Sequence, residues 1–318
     1  DVVRGEKPVE AIGKIIANKR RCKVLLKRDM GGYGDVLFTS VIARGLKKRF
    51  GDKVFVYYGL QPEYIPVLQN YPYIEGVSTI DRMFEGFDFE GNLTDAEFRS
   101  ELQEMQKFGE IVRPRTQIYL DIFGLEGSLR PDYFPTEEEL KWGEGLWKCC
   151  QNKRVVVVLK ASNQLKTWPY MVKLRERLEE SGFKVLTLDH RKAGMEYIHS
   201  FRRAVALVAT SNLVVAPDTA ISNLAGALSI PVVTLFGNRN GKVFAKMFPS
   251  MHVVQGHCPI WEKGYCDFNT NCFGGAPHRE KENIDIPECL KRLSVDEVWD
   301  EVRKLLLVLR RSDVPNPR

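Results

Sequence analysis

No apolar run in this 318-residue chain approaches the roughly 20 residues of a membrane-spanning helix, so nothing in it reads as a transmembrane segment. The first residues, Asp1 to Pro8, lack the apolar core of a secretory signal. They also lack Met, so the start of the chain does not decide whether a leader precedes it. Cys-x-x-Cys is absent, and seven Cys in a chain of this length do not make a disulfide framework. These absences favour a reducing cytoplasm, with at most peripheral contact at the inner face of a membrane. Neither sign of charge is in large excess: a net +6 suits an anionic substrate but is too small to argue for nucleic acid. The glycine-rich stretch Gly31-Gly32-Tyr33-Gly34 is not a Gly-x-Gly-x-x-Gly dinucleotide fingerprint. Without a following Gly-Lys-Ser/Thr it is not a phosphate-binding P-loop either.

What the chain has instead is strand and helix in alternation, in both halves. Residues 22–27 read as a strand, 28–35 as a glycine-rich turn, and 36–50 as a helix whose apolar residues fall at helical spacing. A strand over 54–58 and a short helix over 61–69 follow, and residues 85–100, polar and interrupted by glycine, read as a surface excursion. Thr136 and Glu139 form a capping box. The β-branched run Val155–Leu159 reads as a central parallel strand buried on both faces. Strands over 185–189, 214–217 and 232–236 alternate with helices in the second half, after which the pattern breaks and residues 252–289 read as a loop rich in Cys. A second capping box, Ser294 and Glu297, opens an amphipathic terminal helix. The expected organisation is α/β, two doubly wound domains with a cleft between them: residues 1–150, residues 151–293, and a terminal helix and tail over 294–318.

Two turns carry the chemistry. Pro217-Asp218-Thr219-Ala220 sits where a buried strand hands over to a helix N-terminus, whose free amides and dipole suit a phosphate. A helix-capping role for Asp218 and Thr219 is an equal alternative. In the first half, Gly32 and Gly34 would let a substrate approach the backbone closely. Asp35, at the helix start, is either a partner for the helix dipole or a general base.

The order of four motifs resembles the bacterial glycosyltransferases that include the lipopolysaccharide heptosyltransferases, glycosyltransferase family 9. The motifs are Gly34-Asp35-Val-Leu-Phe-Thr39, Lys166-Thr-Trp168-Pro169, Pro217-Asp218-Thr219 with Ala225, and Pro231-Val-Val-Thr-Leu-Phe-Gly237, spread over most of residues 22–245. The resemblance implies a GT-B fold of two facing Rossmann-like domains with an interdomain cleft. It implies an inverting, metal-independent transfer of a heptose-like sugar from a nucleoside-diphosphate donor to a hydroxyl of a saccharide, lipopolysaccharide or protein acceptor. Asp35 would then be the general base, Ser162 and Lys166 would hold the diphosphate, and Asp218, Thr219 and Ala220 would serve the diphosphate and donor sugar. The acceptor would meet the surface of residues 60–115, where Tyr71 and Arg113 are among the candidates for sugar or phosphate contact. Three departures stand out: Ala220 where the family often has Gly, Asn223 where His is common, and Asp189-His-Arg-Lys-Ala193 in place of a glycine-rich loop. The last faces the base and ribose, so the nucleotide is left open.

Cys258, Cys266, Cys272 and Cys289 lie in one loop-rich segment. A related group, the heptosyltransferases that modify autotransporter proteins, resembles this chain in carrying a four-cysteine iron site in the same region. A structural Zn or Fe site, two disulfides, and free thiols all remain open, and no cofactor is expected in catalysis. Cys22 reads as a small core hydrophobe. Against an enzyme stand a silent nucleotide-sugar or polyanion-binding module and an epimerase of related two-domain build; donor hydrolysis abolished by Asp35→Ala separates the first, and release of free nucleotide without acceptor marks the second.

Overall fold

The computed structural model describes residues 6–81, 85–147, 153–161, 166–189, 201–258 and 287–312. The chain forms two compact units, Asp1–Phe134 and Pro135–Arg318. In the first, β1 (Cys22–Arg28), β2 (Val54–Leu60), β3 (Gly76–Thr79) and β4 (Phe89–Asn92) make an all-parallel sheet in the order β3-β2-β1-β4. Its helices are α1 (Pro8–Lys19), α2 (Tyr33–Phe50), α3 (Ile65–Leu68), α4 (Leu93–Phe108) and α5 (Arg115–Phe123). α2 packs on the strands and on α3 and α5, which explains why apolar residues on several of its faces, Val36, Leu37, Phe38, Val41 and Ile42 among them, are buried. Cys22 is a buried residue at the start of β1, and burial pushes its thiol up to about 11.

The second unit is built from β5 (Arg154–Lys160), β6 (Lys184–Asp189), β7 (Leu213–Pro217), β8 (Val232–Phe236) and β9 (Met251–Gln255), again all parallel, in the order β6-β5-β7-β8-β9. Its helices are α6 (Glu137–Leu146), α7 (Met171–Glu180), α8 (Phe201–Ala209), α9 (Ala220–Ala227), α10 (Gly241–Ala245), α11 (Glu288–Lys291) and α12 (Val295–Ser312). Central strands β5, β7 and β8 are covered on both faces, so they consist of apolar runs rather than alternating ones. Val155, Val156 and Val157 are buried, and each such side chain contributes about 1.5–3 kcal/mol. Val298, Val302 and Leu306 of α12 join this core, and the capping box at its start is formed, Ser294 N–H donating to Glu297 Oε2 at 2.8 Å and Glu297 N–H to Ser294 Oγ at 3.2 Å.

Three sequence expectations are corrected. Residues 85–100 are not an excursion: they contain β4, paired to β1, and the first half of α4. The pattern does not break after Gly237, because α10 and a fifth strand, β9, follow, so that the first residues of the expected Cys-rich loop lie in the sheet. The division between units falls ahead of 150/151. Helix α6 packs on α8 so closely that a Cβ on Gly143 would run into the Ala206 carbonyl, and Trp147 Nε1 donates to Thr210 Oγ1 at 2.9 Å.

Each strand order reverses once, between β1 and β4 and between β5 and β7. At such a point the connections leave towards opposite faces of the sheet, which opens a crevice at the carboxyl ends of the two strands.

Candidate functional site

The first reversal gathers a network of charged side chains. β1 ends at Arg28, and the chain turns through Gly31, whose φ of +111° lies in the region that favours glycine. Helix α2 then opens with Gly32 as N-cap. Asp35, in its first turn, accepts the Gly32 N–H on Oδ2 at 2.7 Å, and its Oδ1 accepts from Arg115 Nη1. Of the three glycines, Gly32 thus commits its N–H to Asp35, Gly34 is buried in the first turn of α2, and Gly31 alone has positive φ. A Cβ on Gly31 would lie 2.8 Å from Asp35 Oδ2 and 3.0 Å from Arg28 Nη2.

Helix α4, following β4, supplies the acids. Arg115 Nε lies 2.7 Å from Glu101 Oε1 and 3.0 Å from Glu97 Oε1. Arg28 Nη1 donates to Glu97 Oε2 at 2.8 Å and also to the Tyr119 hydroxyl, which itself donates to Glu97. Burial works against the charge on Arg115, yet the carboxylates of Asp35, Glu101 and Glu97 outweigh it and hold the guanidinium pKa well above its ordinary value. Burial, then the Glu97 carboxylate, push the Tyr119 phenol well up as well. Asp35 keeps 25% of its side chain exposed, so its carboxylate is fixed but still accessible.

Sequence reasoning missed Arg28, Arg115, Glu97 and Glu101. The signal was the i, i+4, i+7 spacing of Glu97, Glu101 and Glu104, followed by Arg113 and Arg115. Two candidates for acceptor contact sit elsewhere: Tyr71 is in the core with its hydroxyl donating to Ser40 O at 3.1 Å, and Arg113 is paired with Glu104 and Asp121.

The second reversal brings two motifs together. Lys166 follows β5 and Asp218 follows β7; Lys166 Nζ lies 2.8 Å from Asp218 Oδ2 and 3.0 Å from its carbonyl. The rest of the Lys-x-Trp-Pro stretch anchors that lysine. Thr167 Oγ1 accepts the Ala161 N–H at 3.1 Å, while Trp168 is buried in the core and donates its indole N–H to Leu293 O at 2.9 Å. Thr219 is the N-cap of α9, its N–H donating to Ser222 Oγ at 3.1 Å. Ala220 and Ile221, both part-exposed, open the helix, where backbone N–H groups have no intrahelical acceptor. Thr219 Oγ1 and the Oδ1 of buried Asn223 have no hydrogen-bond partner among the described residues. The turn therefore presents helix-end amides, the Thr219 hydroxyl and a lysine paired with the Asp218 carboxylate, donors that can meet an anion, whereas Asn223 Oδ1 is an acceptor and calls for a donor.

Ser162, Cys266 and Cys272 lie outside the described residues. Cys258 and Cys289 are both buried in the same core cluster, and Gly256 lies so close to the Cys289 carbonyl that a Cβ there would meet it at 2.6 Å. Two of the four cysteines are thus placed on adjoining segments. Among the described residues no group of three or more His, Cys, Asp or Glu could hold a metal ion. No helix among them is long and apolar enough to cross a membrane.

The family model described as glycosyltransferase family 9 (heptosyltransferase) matches residues 131–263. No curated protein matches the sequence. Among solved structures, the glycosyltransferase family 9 protein of Veillonella parvula DSM 2008 is similar at TM-score 0.66 and 12% identity, over 90% of this chain and 98% of that one. The ADP-heptose LPS heptosyltransferase II of E. coli is similar at TM-score 0.64 and 15% identity, over 90% and 99%. The dodecameric iron-containing heptosyltransferase TibC of enterotoxigenic E. coli, solved in complex with ADP-D-beta-D-heptose, is similar at TM-score 0.67 and 17% identity, over 91% and 77%. Two parallel α/β units of this kind, with these neighbours, give the chain a GT-B fold, and the family-model match marks it as a glycosyltransferase. The match to glycosyltransferase family 9 covers residues 131–263, which hold most of the second unit's sheet.

Proposed function

We propose that the protein transfers a heptose-like sugar from ADP-heptose or a close nucleoside-diphosphate analogue to a hydroxyl of a saccharide, glycolipid or protein acceptor, with inversion at the anomeric carbon. The observation that carries this reading is the placement of Lys166 Nζ against Asp218 at the N-terminus of α9. The family match and the donor bound in one structural neighbour supply the rest. As the anomeric carbon–oxygen bond breaks, negative charge develops on the departing diphosphate. Lys166, the amides at the start of α9 and the Thr219 hydroxyl would meet that charge, so the scheme calls on no metal for it. Asp35 would take the proton from the acceptor hydroxyl as it attacks. On this reading residues 1–134 handle the acceptor and residues 135–318 the donor. The four cysteines are proposed as a structural iron or zinc tetrathiolate, which leaves no open coordination position for substrate.

A thermal-shift panel of ADP-, GDP-, UDP- and CMP-sugars tests the donor. A sugar nucleotide present at about 100 times its Kd stabilises the native state by about 2.7 kcal/mol, and ADP-heptose is expected to give the largest rise in Tm. Lys166→Met should remove most of that rise. A panel in which no donor raises Tm, or an unchanged rise in Lys166→Met, removes the donor assignment. Metal analysis of the same purified sample should find iron or zinc; a metal-free protein sinks the tetrathiolate.

A further inference from the structure

The first unit holds more charge around Asp35 than a helix cap or a lone base requires. Asp35 interacts with Arg115 from α5, Arg28 from β1 and Tyr64 from the turn before α3; behind these, Glu97 and Glu101 of α4 meet Arg115, Tyr119 of α5 meets Arg28, and Tyr33 packs on Tyr64. A carboxylate held by one unshared guanidinium typically loses about 1–3 pH units of proton affinity, which makes it a poor base. Here Arg115 is shared: one edge meets Asp35 Oδ1 and the other meets Glu101 and Glu97. Arg28 is likewise taken up by Glu97. Three carboxylates against two guanidinium groups leave the cluster with one net negative charge when all are ionised.

We propose that Arg115 is a positioning residue for Asp35, and that Glu101 and Glu97, by sharing its charge, keep Asp35 basic enough to accept a proton. The inference rests on the reading of Asp35 as the base. Two donors, the Gly32 N–H on Oδ2 and Arg115 on Oδ1, fix the plane of the carboxylate. The network orients the group and the shared acids limit what that orientation does to its proton affinity.

Opposite signs make this testable. In Glu101→Gln, Arg115 loses one competitor and bears more strongly on Asp35, so the Asp35 titration moves to lower pH. In Arg115→Met, Asp35 is left beside Glu97 and Glu101 without that cation, and its titration moves to higher pH, each by about one pH unit. Two readouts follow these movements: the carboxyl carbon of Asp35 by NMR in the ligand-free protein, and the acidic limb of kcat/KM for transfer from ADP-heptose. Arg115→Lys should return the limb towards its original pH but not restore kcat, because an ammonium cannot span Asp35 and Glu101 as a planar fork does. If Arg115→Met does not fold, Glu101→Gln and Arg115→Lys decide the matter alone. Limbs and titrations that stay in place while the rate falls overturn the proposal and make Arg115 structural. Asp35→Asn that still transfers sugar overturns the base assignment instead, and the NMR titration then continues to test the charge sharing by itself.

Discussion

At the scale of single residues, Gly31 shows how tightly the Asp35 turn is drawn. Its φ of +111° already excludes most side chains, and the space a Cβ needs is filled by the Asp35 carboxylate and the Arg28 guanidinium. Gly31→Ala therefore combines backbone strain of about 1–3 kcal/mol with displacement of the group assigned as base. Transfer should fall at least about tenfold, the effect of a 1.4 kcal/mol rise in barrier, while the donor-induced rise in Tm persists. A variant with full kcat would show that Asp35 need not sit where Arg28 and Gly31 hold it. Asp35, Lys166 and Asp218 could be singled out as candidates in the sequence because each lies in a short motif that follows a strand. Arg115 was not, because nothing within its own stretch shows that α5 will bring it to α2.

Helix α4 carries the same lesson at the scale of an element, since its faces are reversed. Phe98 is 67% exposed and Phe108 50%, whereas Glu97, Glu101 and Glu104 are turned inwards. A reading by hydrophobic periodicity would seat the apolar side inside. Arg28 and Arg115 reverse that choice because each is largely buried and needs an anion, while Glu104 is held by Arg113. Glu104 also accepts the backbone N–H groups of Val112 at 2.8 Å and Arg113 at 3.2 Å, shaping the connection into α5. Denaturant titration should therefore rank two variants against intuition. Glu104→Ala, which leaves both amides and Arg113 without that acceptor, should cost about 1–3 kcal/mol. Phe98→Ser should stay within about ±0.5 kcal/mol. The reverse ranking would mean that the apolar face, not the acidic one, holds the helix. β4 was hidden for a related reason: it is a four-residue edge strand with one buried apolar residue, Phe89, and too short to show a period.

Across the whole molecule, two sheets built by one rule carry different chemistry at the same topological place. β5, β7 and β8 were legible because double coverage turns parallel strands into apolar runs; edge strand β9, part-exposed at three of its five positions, was not. At the β1/β4 reversal stands a carboxylate among arginines and acids, and at the β5/β7 reversal a lysine beside a helix N-terminus. If proton transfer belongs to the first and leaving-group binding to the second, the two functions should separate under mutation. Amide hydrogen exchange with ADP-heptose and no acceptor should show new protection at the start of α9 and around Lys166, because a ligand that binds the native state suppresses local opening where it binds. Asp35→Asn should keep that pattern and the donor's rise in Tm while losing transfer. Lys166→Met should lose the protection and, on this division of roles, leave the Asp35 titration where it was. Protection absent from α9, or donor binding lost in Asp35→Asn, would contradict this division, because the amides at the start of α9 would then not be the groups that receive the leaving diphosphate.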